Sequence, residues 1–197
     1  MTNTARQRIP RVSHSGNRRE LILETTLRMI AAGGIDSVTH RKVAESAGIP
    51  LGSTTYYFET RAHLLRDTFD YYIEKAKQSQ ARLAASKSDT VAGLVKYLVE
   101  ITNREFDDEA LLLAEYEMTL FAARDPELAE SLHAWDRLMI VRIAEVMKTL
   151  GATRATDAAR TILHLMRGYE LEQLSRHTPD PADLGRRLRV VVSAFVE

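Results

Sequence analysis

Apolar residues recur along the chain at the three- and four-residue spacing of amphipathic helices. In the first such segment Leu23, Leu27 and Ile30 share one face, and the segment stops at Gly33 and Gly34, which suit a left-handed C-terminal turn. The alternating β-branched runs typical of strands are nearly absent. The pattern therefore predicts an all-α fold of about nine helices without a sheet.

Capping residues and prolines mark where these helices begin and end. Thr39 is a good N-cap, Gly48 suits a chain reversal, and Asp125 before Pro126 places an N-cap ahead of a first-turn proline. The helices are predicted at about 18–32, 39–47, 51–57, 61–86, 90–106, 109–123, 126–150, 155–177 and 181–195.

The second and third helices are short and follow a longer packing helix, which is the arrangement of a helix-turn-helix unit. Val43, Ala44 and Ala47 form the inner face of the second helix. The third helix carries hydroxyl groups that can contact phosphates or base edges, and a glycine that lets the backbone approach DNA, namely Gly52, Ser53, Thr55, Tyr56 and Tyr57. This segment is therefore the candidate DNA-reading unit.

The charge balance supports that location. The whole chain has 27 basic and 27 acidic side chains, yet residues 1–66 hold 10 Lys and Arg against 5 Asp and Glu, and the remainder holds 17 against 22. Residues 1–19 contain five arginines and no acid, as expected for an arm that follows a phosphate backbone: Arg6, Arg8, Arg11, Arg18 and Arg19. The alternative is a solvated, disordered tail.

Residues 19–65 resemble the DNA-binding domain of TetR-family regulators in the order and spacing of their motifs. The matching positions are Ile22, Leu23, Met29, Ile30, Gly34, Thr39, Val43, Ala44, Ala47, Gly48, Ile49, Gly52, Ser53, Tyr56, Tyr57, Phe58, Arg61, Leu64 and Leu65. The chain departs from the common family pattern at Leu51, at the Thr54-Thr55 pair and at Glu59. Base preference is therefore not transferred from relatives.

The resemblance implies a role for each part of the motif. Thr39 and Arg41 would touch DNA from the start of the second helix, the third helix would read the major groove, and Arg61 would clamp a phosphate. The predicted DNA-binding residues are Thr39, Arg41, Leu51, Gly52, Ser53, Thr55, Tyr56, Tyr57 and Arg61. A homodimer would present two reading helices to double-stranded DNA, so we expect an imperfectly palindromic operator.

The last two helices are apolar over more than one face, so they need a second covering surface. The family resemblance implies that this surface is a four-helix dimer interface, and the alternative is a monomer that buries both helices internally. The predicted interface residues are Leu163, Leu171, Leu174, Leu184, Leu188, Val191 and Phe195.

The sixth helix is apolar nearly all round and is predicted to lie at the centre of the second domain. With aromatic residues and methionines from neighbouring helices it would line a pocket for a small-molecule effector: Tyr97, Phe106, Tyr116, Glu117, Met118, Phe121, Trp135 and Met139. Glu117 within this run either pairs with Arg137 or Arg142 or meets a polar ligand group, and the pair is the favoured interpretation.

Several classes of function find no support. The chain has no cysteine, so a disulfide or a cysteine-ligated cofactor is excluded. Glu130, His133 and Asp136 stand three apart on one predicted helix, but such polar triads usually face solvent, so no metal is expected. We find no glycine-rich phosphate loop and no nucleophile elbow, hence no enzyme, no catalytic residue and no cofactor. Without an 18-residue apolar run or a signal peptide, the protein is expected to be cytoplasmic, with no membrane partner.

The sequence thus predicts three parts: a basic flexible arm over 1–17, a helix-turn-helix domain over 18–65 whose fourth helix links onward from residue 61, and an effector-binding and dimerisation domain over 66–197. The predicted function is a TetR-like repressor that a small effector releases from its operator. The alternative is a DNA-binding architectural protein with no effector, which an apo structure lacking a cavity would favour.

Overall fold

Helix-capping signals place the helix ends within a few residues of where the structure has them. The computed structural model describes residues 18–83, 89–176 and 178–196. Within these ranges there are two 3₁₀ turns, Ile35–Ser37 and Phe106–Asp108, and no strand. The described residues form nine α-helices: α1 (Arg18–Gly33), α2 (His40–Ala47), α3 (Leu51–Tyr57), α4 (Arg61–Leu83), α5 (Val91–Glu105), α6 (Glu109–Ala122), α7 (Pro126–Thr149), α8 (Ala155–Arg176) and α9 (Pro181–Val196). The all-α prediction is confirmed. The predicted basic arm, residues 84–86 and His177 lie outside the described residues.

The caps act as their residue types predict. The Thr39 hydroxyl accepts a hydrogen bond from the Lys42 backbone N–H at 3.2 Å, so Thr39 precedes α2 rather than opening it. Gly48 ends α2 in the left-handed region with φ of 67°. At the start of α7 the Asp125 carboxylate accepts from the Leu128 N–H at 3.1 Å.

The first four helices share a core around α1. Ile22, Leu23 and Ile30 are almost completely buried, and they lie in one hydrophobic cluster with residues from α2, the end of α3 and α4: Val43, Phe58, Leu64, Leu65 and Phe69. Thr54 is buried on the inner side of α3, where its hydroxyl donates to the Leu51 carbonyl at 2.8 Å. Phe58 is therefore core, as expected of an aromatic residue at a helix end.

This cluster continues without a break into the rest of the chain. Met118 on α6 and Trp135 and Met139 on α7 belong to it, so α1 and α4 pack directly on α6 and α7. A second cluster holds α5, α7, α8 and α9 together. Movement within the second half of the chain can therefore reach the first four helices through packed side chains.

Part of the predicted dimer interface is wrong, because the protomer itself covers it. Leu163 on α8 is 6% exposed, and Leu184 and Leu188 on α9 are fully buried against the chain's own helices. Helix α9 packs on α5 as well as on α8, so its inner apolar stripe is already covered. In contrast, Leu171 is 51% exposed. The remaining three predicted residues are partly buried: Leu174, Val191 and Phe195.

Candidate nucleic-acid interface and adjoining cavities

The turn between α2 and α3 is fixed by backbone and side-chain hydrogen bonds. After Gly48 the Ile49 N–H donates to the Ala44 carbonyl at 3.0 Å. His40 at the start of α2 shares a 2.8 Å hydrogen bond with the Phe58 carbonyl just after α3. Both ends of α3 are therefore tied to α2 or its turn, and the exposed face of α3 has a defined orientation.

That exposed face carries most of the predicted reading residues. Tyr56 is 82% exposed and Leu51 is 48% exposed, and Thr55 also faces solvent. A Cβ atom added at Gly52 would meet no atom within 4 Å, so packing inside the protein does not require a glycine there. Ser53 is half-buried, and its hydroxyl lies 3.5 Å from Nη1 of Arg18.

The flanking residues divide between structural and exposed positions. Tyr57 is partly buried against the core and meets the Tyr56 ring edge-on at 5.1 Å between centroids. Thr39 uses its hydroxyl as the α2 cap. Arg41 and Lys42 both face solvent at the start of α2. They place two cations beside the exposed face of α3.

Arg61 has other partners than the expected phosphate. Its Nε donates to the Val38 carbonyl at 2.9 Å, and Nη2 donates to the Ile35 carbonyl at 2.5 Å and lies 3.5 Å from Asp36. The side chain therefore holds the 3₁₀ turn Ile35–Ser37 to the start of α4. In the free protein Arg61 is therefore a brace of this turn, and its contact with a phosphate stays a prediction.

Glu117 also differs from the prediction. No arginine nitrogen lies within 4.0 Å of its carboxylate among the described residues, so the predicted pairing with Arg137 or Arg142 is wrong. Instead Oε2 accepts from the Ile35 backbone N–H at 3.4 Å, and a Cβ atom at Gly34 would lie 3.6 Å from the same oxygen. The apolar run of α6 thus ends at a polar contact with the first four helices.

A cleft of about 500 Å³ opens between α1, α4, α5 and the start of α6. Its wall combines apolar, aromatic and charged side chains: Glu24, Leu27, Arg28, Ala31, Ala32, Tyr71, Tyr72, Lys75, Ala76, Ile101, Arg104, Glu105, Asp108, Ala110 and Leu111. We call this space the outer cleft. It directly adjoins α1, which is the packing helix of the helix-turn-helix unit.

A smaller cavity of about 40 Å³, here called the inner cavity, lies deeper between α4, α5, α6, α7 and α8. Tyr72, Ala76, Ile101 and Glu105 line both spaces, so the two share a wall. The remaining lining residues of the inner cavity are Thr102, Glu115, Trp135, Met139, Leu163, Met166, Arg167 and Glu170.

Only two of the predicted pocket residues line these spaces. Trp135 and Met139 lie on the wall of the inner cavity. The other six line neither the cleft nor the cavity: Tyr97, Phe106, Tyr116, Glu117, Met118 and Phe121. Most of these six pack elsewhere, Met118 in the core and Phe106 edge-on against Tyr169 at 6.3 Å.

Hydrogen bonds order the polar wall of the inner cavity. The Tyr72 hydroxyl donates to Glu115, and the Tyr116 hydroxyl donates to Glu170 Oε2 at 2.7 Å. Arg167 is bound by Asp136 at 2.6 Å and lies 3.8 Å from Glu115.

Burial makes the cavity carboxylates hard to ionise. It raises the pKa of Glu105 to about 7 and that of Glu170 to about 8, and in both cases the nearby Glu115 charge adds to the rise. The pKa of Glu115 is also raised by burial, although Arg167 and the Tyr72 hydroxyl oppose the rise. Near neutral pH the carboxyl groups of Glu105 and Glu170 are therefore partly protonated.

These three carboxylates were not predicted from the sequence, because Glu117 was the one acidic residue assigned to the pocket. Glu115 lies two residues earlier on α6, about 200° away around the helix, and so points to the opposite side. A signal was present: Glu115 and Glu170 each lie next to a tyrosine in a mostly apolar helix, where a carboxylate needs a partner or a ligand.

Neither a metal centre nor a membrane span is found in the described ranges. Asp136 of the proposed solvent-facing triad binds Arg167, while Glu130 and His133 are exposed. No group of three or more His, Asp or Glu residues in residues 18–83, 89–176 and 178–196 could hold a metal ion. In the same ranges, no helix combines the length and apolar composition that crossing a bilayer needs.

A fixed α2–α3 unit with an exposed hydroxyl-rich face, followed by a helical domain with a cleft, defines a helix-turn-helix DNA-binding regulator. The family model described as bacterial regulatory proteins, tetR family, matches residues 22–68, and the one described as tetracyclin repressor-like, C-terminal domain, matches residues 89–197. The chain belongs to the TetR family. It is a TetR-like transcriptional regulator, from a family of DNA-binding proteins that are not enzymes.

Individual relatives agree with this assignment. The transcriptional repressor KstR of Mycolicibacterium smegmatis is 28% identical over 182 residues, which are 91% of this chain and 87% of KstR. A transcriptional regulator from Rhodococcus sp. Rha1 has the same fold, with a TM-score of 0.79 at 18% identity over 91% of this chain and 96% of its own. The multidrug binding protein EbrR, in complex with ethidium, gives a TM-score of 0.66 at 28% identity over 90% of this chain and 99% of its own.

Proposed function

We propose that this regulator is a repressor that binds a palindromic operator as a homodimer and leaves it when a small molecule occupies the outer cleft. The observation that carries the proposal is the position of the cleft. One of its walls is α1 and α4, and the opposite wall is α5 and the start of α6. A ligand there contacts both the reading unit and the second domain at once.

The DNA-contacting surface comprises the exposed residues of α2 and α3 and the basic segment before α1. Tyr56, Thr55 and Leu51 project from α3, and Arg41 lies beside them. Arg18 lies next to Ser53, so the chain reaches α1 beside the reading helix. Cations at this place favour phosphate, and the hydroxyls favour base edges or phosphate oxygens.

Two copies are needed for a palindromic site, and the exposed side of α8 and α9 supports their association. Leu171 on α8 is 51% exposed and Val190 on α9 is 71% exposed, so both helices have apolar surface that the protomer does not cover. A Cβ atom at Gly168 on α8 would meet nothing within 4 Å, which leaves room for close approach of another helix. We therefore assign this side, rather than the buried Leu184 stripe, to the dimer interface.

Ligand control follows from the linkage between the cleft and the reading unit. Polar contacts as well as apolar packing tie the first four helices to α6 and α7, among them Ile35 with Glu117 and Arg66 with both Asp125 and Glu127. A ligand that separates α1 from α6 alters the spacing of two reading helices in a dimer. It weakens DNA binding only by its differential affinity for the two states, typically about 1–3 kcal/mol.

The existence of the cleft also disfavours the effector-free architectural alternative. EbrR, one of the solved neighbours, is a multidrug binding protein seen with imidazole, proflavin and ethidium. We keep the division into an arm over 1–17, a reading domain over 18–65 and an effector and dimerisation domain over 66–197 as part of this proposal.

The test is a selection of bound duplexes from a random pool, using the full chain. We expect an enriched sequence with two related half-sites and a complex that contains an even number of protomers in analytical ultracentrifugation. An Ala32→Trp variant, which adds bulk at an exposed position of the α1 wall of the cleft, should mimic the ligand and weaken operator binding. Enrichment of a single, non-repeated half-site would contradict the proposal.

A further inference from the structure

The inner cavity has more negative than positive groups on its wall. Three carboxylates line it, Glu105, Glu115 and Glu170, against the single cation Arg167. Arg167 is itself shared between Asp136 at 2.6 Å and Glu115 at 3.8 Å. Burial without a counter-charge disfavours the ionised form of these carboxylates, and a cation that enters the cavity would supply that counter-charge.

Glu170 is the residue whose surroundings point to a ligand. It is more than nine-tenths buried and lines the cavity. Its Oε2 accepts from the Tyr116 hydroxyl, whereas Oε1 has no hydrogen-bond donor in the described part of the chain. No Lys, Arg or His nitrogen of the described residues lies within 4.0 Å of the Glu170 or Glu105 carboxylate.

The size of the cavity restricts the cation that can enter. Its volume of about 40 Å³ exceeds the roughly 10–15 Å³ that one water molecule needs, so the cavity admits a small polar group but not a bulky one. An –NH₃⁺ group is compact and offers three N–H donors, whereas a trimethylammonium group is larger and offers none. A metal ion fits the site poorly, since the residues of 18–83, 89–176 and 178–196 include no group of three or more suitable ligands.

The outer cleft suits an apolar body attached to such a group. Leu27, Ala31 and Leu111 supply apolar wall, and Tyr71 supplies an aromatic face. The cations on its rim have carboxylate partners: Arg28 pairs with Glu24 at 3.1 Å, Arg104 with Glu100 at 3.0 Å, and Lys75 with Glu20 of α1 at 3.7 Å. The shared wall at Tyr72 and Glu105 would let one molecule span both spaces.

We propose that the effector is an amphipathic primary amine, whose ammonium group enters the inner cavity between Glu105, Glu115 and Glu170 while its apolar body fills the outer cleft. This inference rests on the proposed function of the outer cleft as the effector site. Burial raises the pKa of Glu105 to about 7 and that of Glu170 to about 8, so these carboxyl groups are partly protonated near neutral pH. When the ammonium group binds, they lose these protons and become its counter-charges. The other groups that face Glu170 are Glu115, Tyr116 and Arg167.

The test compares four probes that share one apolar body: 1-adamantylmethylamine, 1-adamantylmethanol, 1-adamantanecarboxylate and 1-adamantyltrimethylammonium. The tryptophan fluorescence of the full chain reports binding without a label, since Trp135 is the only tryptophan and lines the inner cavity. We expect the primary amine to bind at least about tenfold more tightly than each of the other three, as a charge-assisted hydrogen bond to a buried carboxylate implies. Amine affinity should rise between pH 6 and pH 8, with proton release seen by calorimetry in two buffers.

Glu170→Gln keeps the shape of the side chain and should remove most of the preference for the amine over the alcohol, without weakening alcohol binding. Glu130→Gln, an exposed glutamate on α7, is the matched control and should bind all four probes as the parent does. Equal or tighter binding of the alcohol or carboxylate to the parent protein, or a full amine preference in Glu170→Gln, would overturn the inference. The probe ranking on the parent protein decides the matter even if the variant does not fold.

Failure of this inference can be told from failure of the proposed function. If a neutral or anionic compound fills the cleft and releases the operator while the amine does not bind, the ammonium assignment is wrong and ligand-relieved repression stands. If the amine binds with the expected ranking but leaves operator affinity unchanged, the cavity chemistry is right and the repressor mechanism is wrong.

Discussion

The backbone N–H of Ile35 donates to the carboxylate of Glu117 across 82 positions of sequence, at 3.4 Å. The carbonyl of the same residue accepts from Arg61 at 2.5 Å. Ile35, two residues after the end of α1, is thus held by α6 through its N–H and by α4 through its carbonyl. This turn leads into α2, so it links the second domain to the reading unit.

Glu117→Ala should loosen this turn. The variant loses the acceptor for the Ile35 N–H, so we expect faster amide hydrogen exchange over residues 34–38, while exchange in α8 and α9 stays unchanged. Glu117→Gln keeps an oxygen acceptor and should restore most of the protection. The control is Glu130→Ala, which changes an exposed residue of α7. Equal exchange in Glu117→Ala and the parent protein would show that the contact does not hold the turn.

Arg61 and Arg41 should separate structural from electrostatic contributions to DNA binding. Arg61→Ala removes two hydrogen bonds to backbone carbonyls and should lower the free energy of unfolding by about 1–3 kcal/mol. Arg41→Ala changes an exposed cation and should leave stability unchanged but lower the slope of log K against log salt by about 1. If Arg61→Ala lowers that slope and spares stability, Arg61 contacts phosphate after all.

Local signals allowed the helices to be predicted well, because caps and turns act over a few residues. The Thr39 hydroxyl and the left-handed Gly48 define α2 by short-range hydrogen bonds and backbone sterics, both of which residue type reveals. The exposed face of α3 follows from the same information, since the positions of Gly48 and Phe58 fix which side is buried.

Long-range partners could not be predicted in the same way. An apolar stripe such as that of Leu184 and Leu188 shows that a helix face is covered, but its spacing is the same whether α5 or another protomer covers it. Likewise the run around Glu117 shows a carboxylate that needs a partner, but not that the partner is the Ile35 N–H, 82 positions away. The inner cavity is formed where five helices pack together, and the spacing of apolar residues along each helix does not show which helices pack against one another.

Tyr56→Ala should weaken operator binding without weakening the fold. The side chain is 82% exposed and its described ring contact is with Tyr57, so we expect stability within about 0.5 kcal/mol of the parent protein. At a selected operator the loss should be about 1–3 kcal/mol, measured by fluorescence anisotropy, with non-specific duplex binding nearly unchanged. Tyr57→Ala provides the contrast, because this partly buried residue should lower stability as well. An equal loss on specific and random duplexes would remove Tyr56 from base reading.

Leu171→Arg should shift the protein towards monomers. Leu171 is 51% exposed on α8, so a charge there costs little in a free protomer but much inside an apolar interface. Val141→Arg on α7, which is 54% exposed, is the matched control and should leave association unchanged. Sedimentation velocity at several concentrations measures the shift, and far-ultraviolet circular dichroism checks the fold. An unchanged dimer in Leu171→Arg, or a monomer in Val141→Arg, would place the interface elsewhere.

The buried carboxylates of the inner cavity predict how stability depends on pH. The folded pKa of Glu105 is about 7 and that of Glu170 about 8, both above the ordinary 4.5, so the folded state binds more protons than the unfolded state between these values. The free energy of unfolding should therefore fall as pH rises from about 4.5 to about 8, by at most about 1.4 kcal/mol per pH unit for each group. Urea denaturation at pH 6 and pH 8 measures the loss.

Glu170→Gln has no ionisable group at this position, so it should reduce the loss of stability, whereas Glu130→Gln should not. A parent protein that is more stable at pH 8 than at pH 6, or a Glu170→Gln variant with an unchanged pH dependence, would show that these groups ionise freely in the fold.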